Sequence, residues 1–299
     1  MNLGIIGVGL IGGSIALDLK KSGLASRVLG ADQLEETGEE AVRLGLIDEC
    51  VTVDRLAVES DLIVAAIPVG ALVQLLPDVL NRISPTCVVF DVGSTKKQIC
   101  DALDQHPGRE RFVAAHPLAG TENSGPRAAF TGLFAGKTNI ICDRNRSAAD
   151  ALARVKDVFS VLGMKTVYMD ADEHDRHVAY VSHLSHVSSF LLGQTVLDIE
   201  KDERNIFELA STGFSSTVRL AKSSPDMWAP IFEQNARYLS QALLEYIMHL
   251  QKFHYHLVKG DVKELHQMMS SANEIRRVLD GIELKTKQQK EKTVTLNRV

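Results

Sequence analysis

Two sets of residues in this chain have the types and spacing for chemistry: glycines between a strand and a helix, and polar side chains where strands or helices end. The glycines are Gly7, Gly9 and Gly12, which follow the apolar run Leu3-Gly4-Ile5-Ile6 and precede a helical pattern through Ile15, Leu17 and Leu19. A second apolar run, 28–31, ends on Asp32, twenty positions after Gly12. Strand, glycine turn, helix and acidic residue in that order make a dinucleotide-binding crossover. Gly7 permits the tight turn, Gly9 lets the backbone approach a pyrophosphate, and Gly12 lets the helix lie close to the strand. The helix start at Leu10 and Ile11 offers unpaired N–H groups to phosphate. Asp32 accepts hydrogen bonds from ribose hydroxyls and repels a 2′-phosphate, so NAD is expected over NADP. Ile67 and Pro68, at another strand end, complete the expected cofactor set.

The polar side chains fall in four stretches. These are Asp91-Val92-Gly93-Ser94-Thr95-Lys96, His116-Pro117-Leu118-Ala119-Gly120-Thr121-Glu122, the histidines His174, His177, His183 and His186, and Ser211-Thr212-Gly213-Phe214 with Arg219. Taken singly each has a plain structural reading. Ser94 caps a helix, His116 is a satisfied loop histidine, and Arg219 pairs with a surface acid. The histidines include pairs at i, i+3, but a third ligand and the activating carboxylate of a hydrolytic zinc site are not evident, so no metal is expected.

The elements that must position these residues alternate through the first half of the chain. Apolar runs predict strands over 3–6, 28–31, 50–53, 61–67, 86–92, 112–115, 139–142 and 165–169, with helical spacing over 69–80, 95–103 and 147–162 between them. Such alternation implies a mostly parallel sheet covered on both faces, with ligands at the carboxyl ends of the strands. Beyond Asp170 only helices are predicted: 172–199, short ones near 206–209 and 217–221, then 230–257 and 262–279. The expected fold is therefore α/β, a Rossmann-type dinucleotide-binding domain over 1–170 followed by an all-α domain over 171–284 and a polar, lysine-rich tail over 285–299. Long apolar helices with so little domain of their own to pack against are expected to pair with a second copy, giving a homodimer.

With 299 residues the chain has length enough for two cores, and its net charge of −5 argues against a nucleic-acid partner. Its four cysteines (Cys50, Cys87, Cys100 and Cys142) have no paired spacing, as expected of reduced thiols. No run is long and apolar enough for a bilayer, and the first residues already read as a folded strand. A soluble, cytoplasmic protein with no membrane partner is expected.

Together and in this order, these motifs resemble the prephenate/arogenate dehydrogenase family of tyrosine biosynthesis, along nearly the whole chain. The specific marks are Gly93-Ser94-Thr95-Lys96, His116 to Glu122, the Ser182-His183-Leu184-Ser185-His186 pair, and Gly213-Phe214 with Arg219. Ser185 replaces a usual proline, and Ser216 stands where an acidic residue often precedes the arginine. The resemblance implies NAD-dependent oxidative decarboxylation of a cyclohexadienyl hydroxy acid, prephenate to 4-hydroxyphenylpyruvate. It makes His116 the base that takes the hydroxyl proton, with activity falling as pH drops through about 6.5. Ser94 orients the His116 ring, Arg219 clamps a carboxylate, and Gly213 belongs to the arginine motif. His186, Thr121 and Glu122 lie near the substrate side chain, and Trp228 reaches toward the neighbouring subunit's site.

Arogenate, or both substrates, is the alternative, since keto and amino side chains differ by one contact. His186 read as a donor favours prephenate. A 3-hydroxyacid dehydrogenase of the same architecture is disfavoured because the first long helix beyond the sheet has no lysine before Lys201. A dinucleotide-binding regulator without turnover is disfavoured by the intact His116, Ser94 and Arg219 set. Asp32→Ala should weaken NAD binding and relax exclusion of NADP; initial rates with each cofactor check this, and a wild type preferring NADP would overturn the reading of Asp32.

Overall fold

A computed structural model describes residues 1–201 and 211–281. Eight strands form one sheet in the order β3-β2-β1-β4-β5-β6-β7-β8. They are β1 (Asn2–Ile6), β2 (Arg27–Ala31), β3 (Glu49–Cys50), β4 (Leu62–Ala65), β5 (Val88–Asp91), β6 (Phe112–Pro117), β7 (Thr138–Cys142) and β8 (Lys165–Met169). All neighbours are parallel except β6 and β7. The order turns between β1 and β4, and there the connections leave in opposite directions and open a crevice at the carboxyl ends.

Helices α1 (Leu10–Lys21), α2 (Glu35–Arg43), α3 (Val53–Glu59), α4 (Val69–Arg82), α5 (Lys97–Leu103) and α6 (Ala149–Val161) connect the strands. One core cluster joins Ile15 and Leu19 of α1, Val155 and Phe159 of α6, and Leu3, Ile5, Phe90 and Val113 of the sheet. The cluster on the other face gathers Leu72, Leu76 and Val79 of α4, Ile99 of α5, and Ile63, Val89, Phe112 and Ala114. Alternation along β6 thus puts His116 on the same face as Phe112 and Ala114. The helices that follow the sheet also pack there, through Ala171, Trp228 and Ile231.

Those helices are α7 (Ala171–Val178), α8 (Leu184–Glu200), α9 (Thr212–Val218), α10 (Pro225–Gln234), α11 (Ala236–Lys259) and α12 (Val262–Ala272). By packing, the chain divides at Leu239/Ser240, so α7 to α10 belong to the same compact unit as the sheet. The second unit contains the rest of α11 and α12.

Several local predictions change. The strand expected over 50–53 stops at Cys50, because Thr52 caps α3 by accepting from the Arg55 N–H at 3.3 Å. The helix expected over 172–199 contains a π turn, Ala179–His183. The helix expected over 230–257 begins at Pro225 and breaks at Asn235, whose backbone (φ −104°, ψ 21°) leaves the helical range. The short helix expected near 206–209 and the tail over 285–299 lie outside the described residues.

Where the β5–β6 ladder ends, side chains take over. Its register runs only through Val89↔Phe112 and Phe90↔Val113. Beyond it, Asp91 accepts from the N–H of Gly93 at 2.9 Å and of Ala115 at 3.1 Å, while the Lys96 ammonium donates to the Ala115 carbonyl at 2.8 Å and pairs with Asp91. Both charged side chains are fully buried. Removing one partner strands the other, so Asp91→Ala should lower unfolding free energy by about 3–5 kcal/mol. Denaturant titration measures this, and a loss under about 1 kcal/mol would mean the pair is not the clasp described.

Candidate active site

The crevice at the turn of the strand order has the shape that the glycines foretold. Gly7 has φ +91°, and a Cβ there would lie 2.4 Å from the Ala66 carbonyl oxygen. A Cβ on Gly12 would lie 2.1 Å from the Gly7 carbonyl oxygen, so α1 sits as close to β1 as only glycine allows. A Cβ on Gly9 would meet nothing nearer than Gly125, at 3.9 Å. No side chain caps α1 at Gly9, which leaves the first N–H groups at Leu10 and Ile11 facing an open cradle. Asp32, at the end of β2, accepts from the Val8 N–H at 3.2 Å, so its carboxylate is held over the same turn. Pro68 caps α4 directly after Ile67, across the crevice. These residues fit a dinucleotide.

At the adjacent end of β6 lies a chain of buried polar groups. His116 Nδ1 is 2.8 Å from His174 Nε2, and His174 Nδ1 is 2.7 Å from Asp175 Oδ1. Asp175 also accepts from two backbone N–H groups at the start of α5, Lys96 at 2.8 Å and Lys97 at 2.9 Å. Burial, with help from His174, Lys96 and His183, holds His116 well below the usual histidine range. Burial likewise lowers His174, although Asp175 acts against it. His116 Nε2 makes no hydrogen bond with a described residue.

A second histidine cluster continues from the first. Asn235 Nδ2 donates to the Asp175 carbonyl at 2.7 Å and lies 3.0 Å from His183 Nδ1. His183 Nδ1 therefore accepts, and the neutral ring carries its proton on Nε2, which is buried without a partner among the described residues. Trp228 packs edge-on to His183 with centroids 5.8 Å apart, and its own Nε1 is also buried and unpartnered among the described residues. His186 stacks on Trp228 at 3.5 Å. The π turn, a feature common at functional sites, precedes His186 and ends on His183. Thr95 ties the serine loop to α10, its hydroxyl donating to Gln234 at 2.6 Å.

The remaining expected residues have surroundings of their own. Ser94 makes no hydrogen bond with a described residue, and His174 occupies the Nδ1 of His116 that Ser94 was expected to orient. Trp228 lies on its own chain's His186. His186 donates its Nδ1–H to the Ser182 carbonyl at 3.0 Å, and burial lowers its protonation. Its free Nε2 is thus an acceptor, the reverse of the donor first assigned to it. Arg219 is exposed, follows α9 directly, and makes no hydrogen bond or ion pair with a described residue. Gly213 and the Thr121-Glu122 pair are exposed, and Thr121 turns its own loop by accepting from Asn123 at 3.2 Å. Among the described residues no three potential ligands gather for a metal, and no helix is long and apolar enough to cross a membrane. Asp175 and Asn235 had no recognised role in the sequence, because their partners Lys96, Lys97 and His183 are remote along the chain; the Asp91–Lys96 pair had none because the backbone groups it satisfies belong to Ala115, on another strand.

The prephenate dehydrogenase nucleotide-binding domain matches residues 15–168, and the dimerization domain of the same enzymes matches residues 170–271. The chain belongs to the prephenate dehydrogenase family. It is 31% identical to the prephenate dehydrogenase of Bacillus subtilis (strain 168) over 291 residues, 95% of this chain and 76% of that one. It is similar in structure to prephenate dehydrogenase from A. aeolicus in complex with hydroxyphenyl propionate and NAD+, with TM-score 0.83, 30% identity, and 93% of this chain and 98% of that chain covered. Arogenate dehydrogenase from Synechocystis gives TM-score 0.74 and 28% identity over 93% of this chain and 100% of that one.

Burial pushes His183 from an ordinary 6.5 down to about 4. The unfolded chain therefore binds this proton at pH values where the folded chain does not, and stability is lost as pH falls from about 6.5 toward 4. Melting temperature should drop across that window, less steeply in His183→Gln; identical pH profiles would show that this ring does not contribute to the slope.

Proposed function

We propose that the chain is an NAD-dependent dehydrogenase that oxidatively decarboxylates prephenate to 4-hydroxyphenylpyruvate. The observation that carries this is His116: neutral, at the carboxyl end of β6 beside the dinucleotide crevice, with Nε2 unengaged by the described residues. NAD, held by Gly7, Gly9, Leu10, Ile11, Gly12, Asp32, Ile67 and Pro68, supplies the hydride acceptor. His116 Nε2 takes the proton of the substrate's ring hydroxyl as hydride leaves the same carbon, and the ring carboxylate departs as carbon dioxide. Aromatisation drives the step, so positioning and one base suffice. Arg219, with no partner among the described residues to displace, clamps a substrate carboxylate.

Arogenate is the second reading, favoured by the bare His186 Nε2, which would accept from an ammonium group. Glu122 and Thr121 stand near the same side chain in this reading, with Gly213 supporting the Arg219 loop. The matched dimerization domain, together with exposed Leu244, Ile247, Met248 and Leu250 on α11, supports assembly as a homodimer. Free thiols at all four cysteines support a cytoplasmic location.

Side-by-side rates with prephenate and arogenate, each with NAD and NADP, test the assignment; turnover of neither would overturn it. His116→Asn should lower kcat by about 100-fold or more with little change in substrate affinity, as removal of a general base does. Arg219→Ala should do the opposite, with an affinity loss of about 1.5–3 kcal/mol. Because burial lowers His116, the acid limb of kcat/KM should lie well below the pH 6.5 expected of a free imidazole. Near-normal turnover by His116→Asn would place the base elsewhere.

A further inference from the structure

His116 is an effective base only in one of its two neutral forms. A neutral imidazole carries its proton on either nitrogen, and the tautomer is set by what each nitrogen meets. We propose that His174 and Asp175 are positioning residues that lock His116 with its proton on Nδ1, so that Nε2 is the bare nitrogen offered to the substrate. This deepens the assignment above and rests on His116 being the base.

The direction of each hydrogen bond follows from its far end. Asp175 is anchored by the backbone N–H groups of Lys96 and Lys97, at 2.8 and 2.9 Å. Its carboxylate is an acceptor only, so His174 Nδ1 must donate across their 2.7 Å contact. A neutral His174 then has no proton on Nε2, which must accept across 2.8 Å from His116 Nδ1. His116 is left with no proton on Nε2. A protonated His174 would reverse the last bond and put the proton on the wrong nitrogen. Burial opposes that protonation; His174 and Asp175 are both almost fully buried. The other charged or titratable groups about the pair are Lys96, Asp91 and His183, and both Lys96 and His183 disfavour a charge on His116.

The relay also reaches the second histidine. Asn235, bonded to the Asp175 carbonyl, donates to His183 Nδ1 and gives that ring the opposite tautomer, with the proton on Nε2. Two histidines beside one crevice are thus held as an acceptor and a donor by one residue's carboxylate and carbonyl.

The test reads the tautomer directly. Long-range 1H–15N spectra of the full-length protein labelled with 15N-histidine distinguish the two neutral forms, and loss of signals in His116→Asn assigns the ring among the ten histidines. Wild type at neutral pH should show His116 protonated on Nδ1. His174→Leu removes the acceptor; the His116 signals should shift toward the Nε2-protonated form and kcat should fall on the order of 100-fold, with KM changing little. His174→Gln, whose amide N–H can donate to the Asp175 carboxylate and so turn its carbonyl oxygen toward His116, should restore the Nδ1-protonated form and most of the turnover. Wild-type His116 protonated on Nε2, or an unchanged tautomer and kcat in His174→Leu, would overturn the proposal. The wild-type spectrum and His174→Gln decide the matter if His174→Leu does not fold. An Nδ1-protonated His116 in a protein that turns over neither substrate would leave the relay standing and remove only the enzymatic assignment.

Discussion

The geometry of this protein depends on a backbone requirement at one place, where β5 and β6 part. Parallel strands satisfy each other's N–H and C=O groups only while they run side by side, and here they separate after two register pairs. The separation leaves the Ala115 N–H and C=O without strand partners on that side, inside the protein. Asp91 takes the first and Lys96 the second, and the two side chains neutralise each other. Ala115 precedes His116, and Lys96 begins the turn whose N–H groups hold Asp175. One buried ion pair thus fixes both ends of the histidine relay.

Burial then decides what the histidines are. In water each would be partly charged near neutrality; here desolvation lowers His116, His174, His183 and His186 alike. Neutral rings have one donor and one acceptor apiece, so a fixed acceptor or donor at one nitrogen dictates the function of the other. Asp175 acts this way on His174, Asn235 on His183, and the Ser182 carbonyl on His186. The result is a cluster of fixed donors and acceptors around the Asp175 carboxylate.

His186 shows how a local contact decides which nitrogen of a ring accepts. Its Nε2 is an acceptor because its other nitrogen meets the carbonyl of Ser182, four residues back in the π turn.

Much was legible in the sequence. Gly7, Gly9, Gly12 and Asp32 announced the crevice because strand, glycine turn, helix and acidic residue lie within one crossover of about thirty residues, over which chain order determines space. The strands were legible from apolar runs of the right length, and β8 falls on the predicted residues. Less was legible in the helices past the sheet. The break at Asn235 and the π turn at Ala179–His183 interrupt stretches whose periodicity runs on, because what interrupts them is a hydrogen bond to a residue far away in the chain. His116 was identified by its motif, but its orienting partner was placed at Ser94, near in sequence order to the same crevice, when the partner is His174. The sequence by itself determined which residues can donate, accept or carry charge, and how the first crossover folds. Only the tertiary structure decided which nitrogen of each histidine is free, since that depends on remote acceptors and on burial.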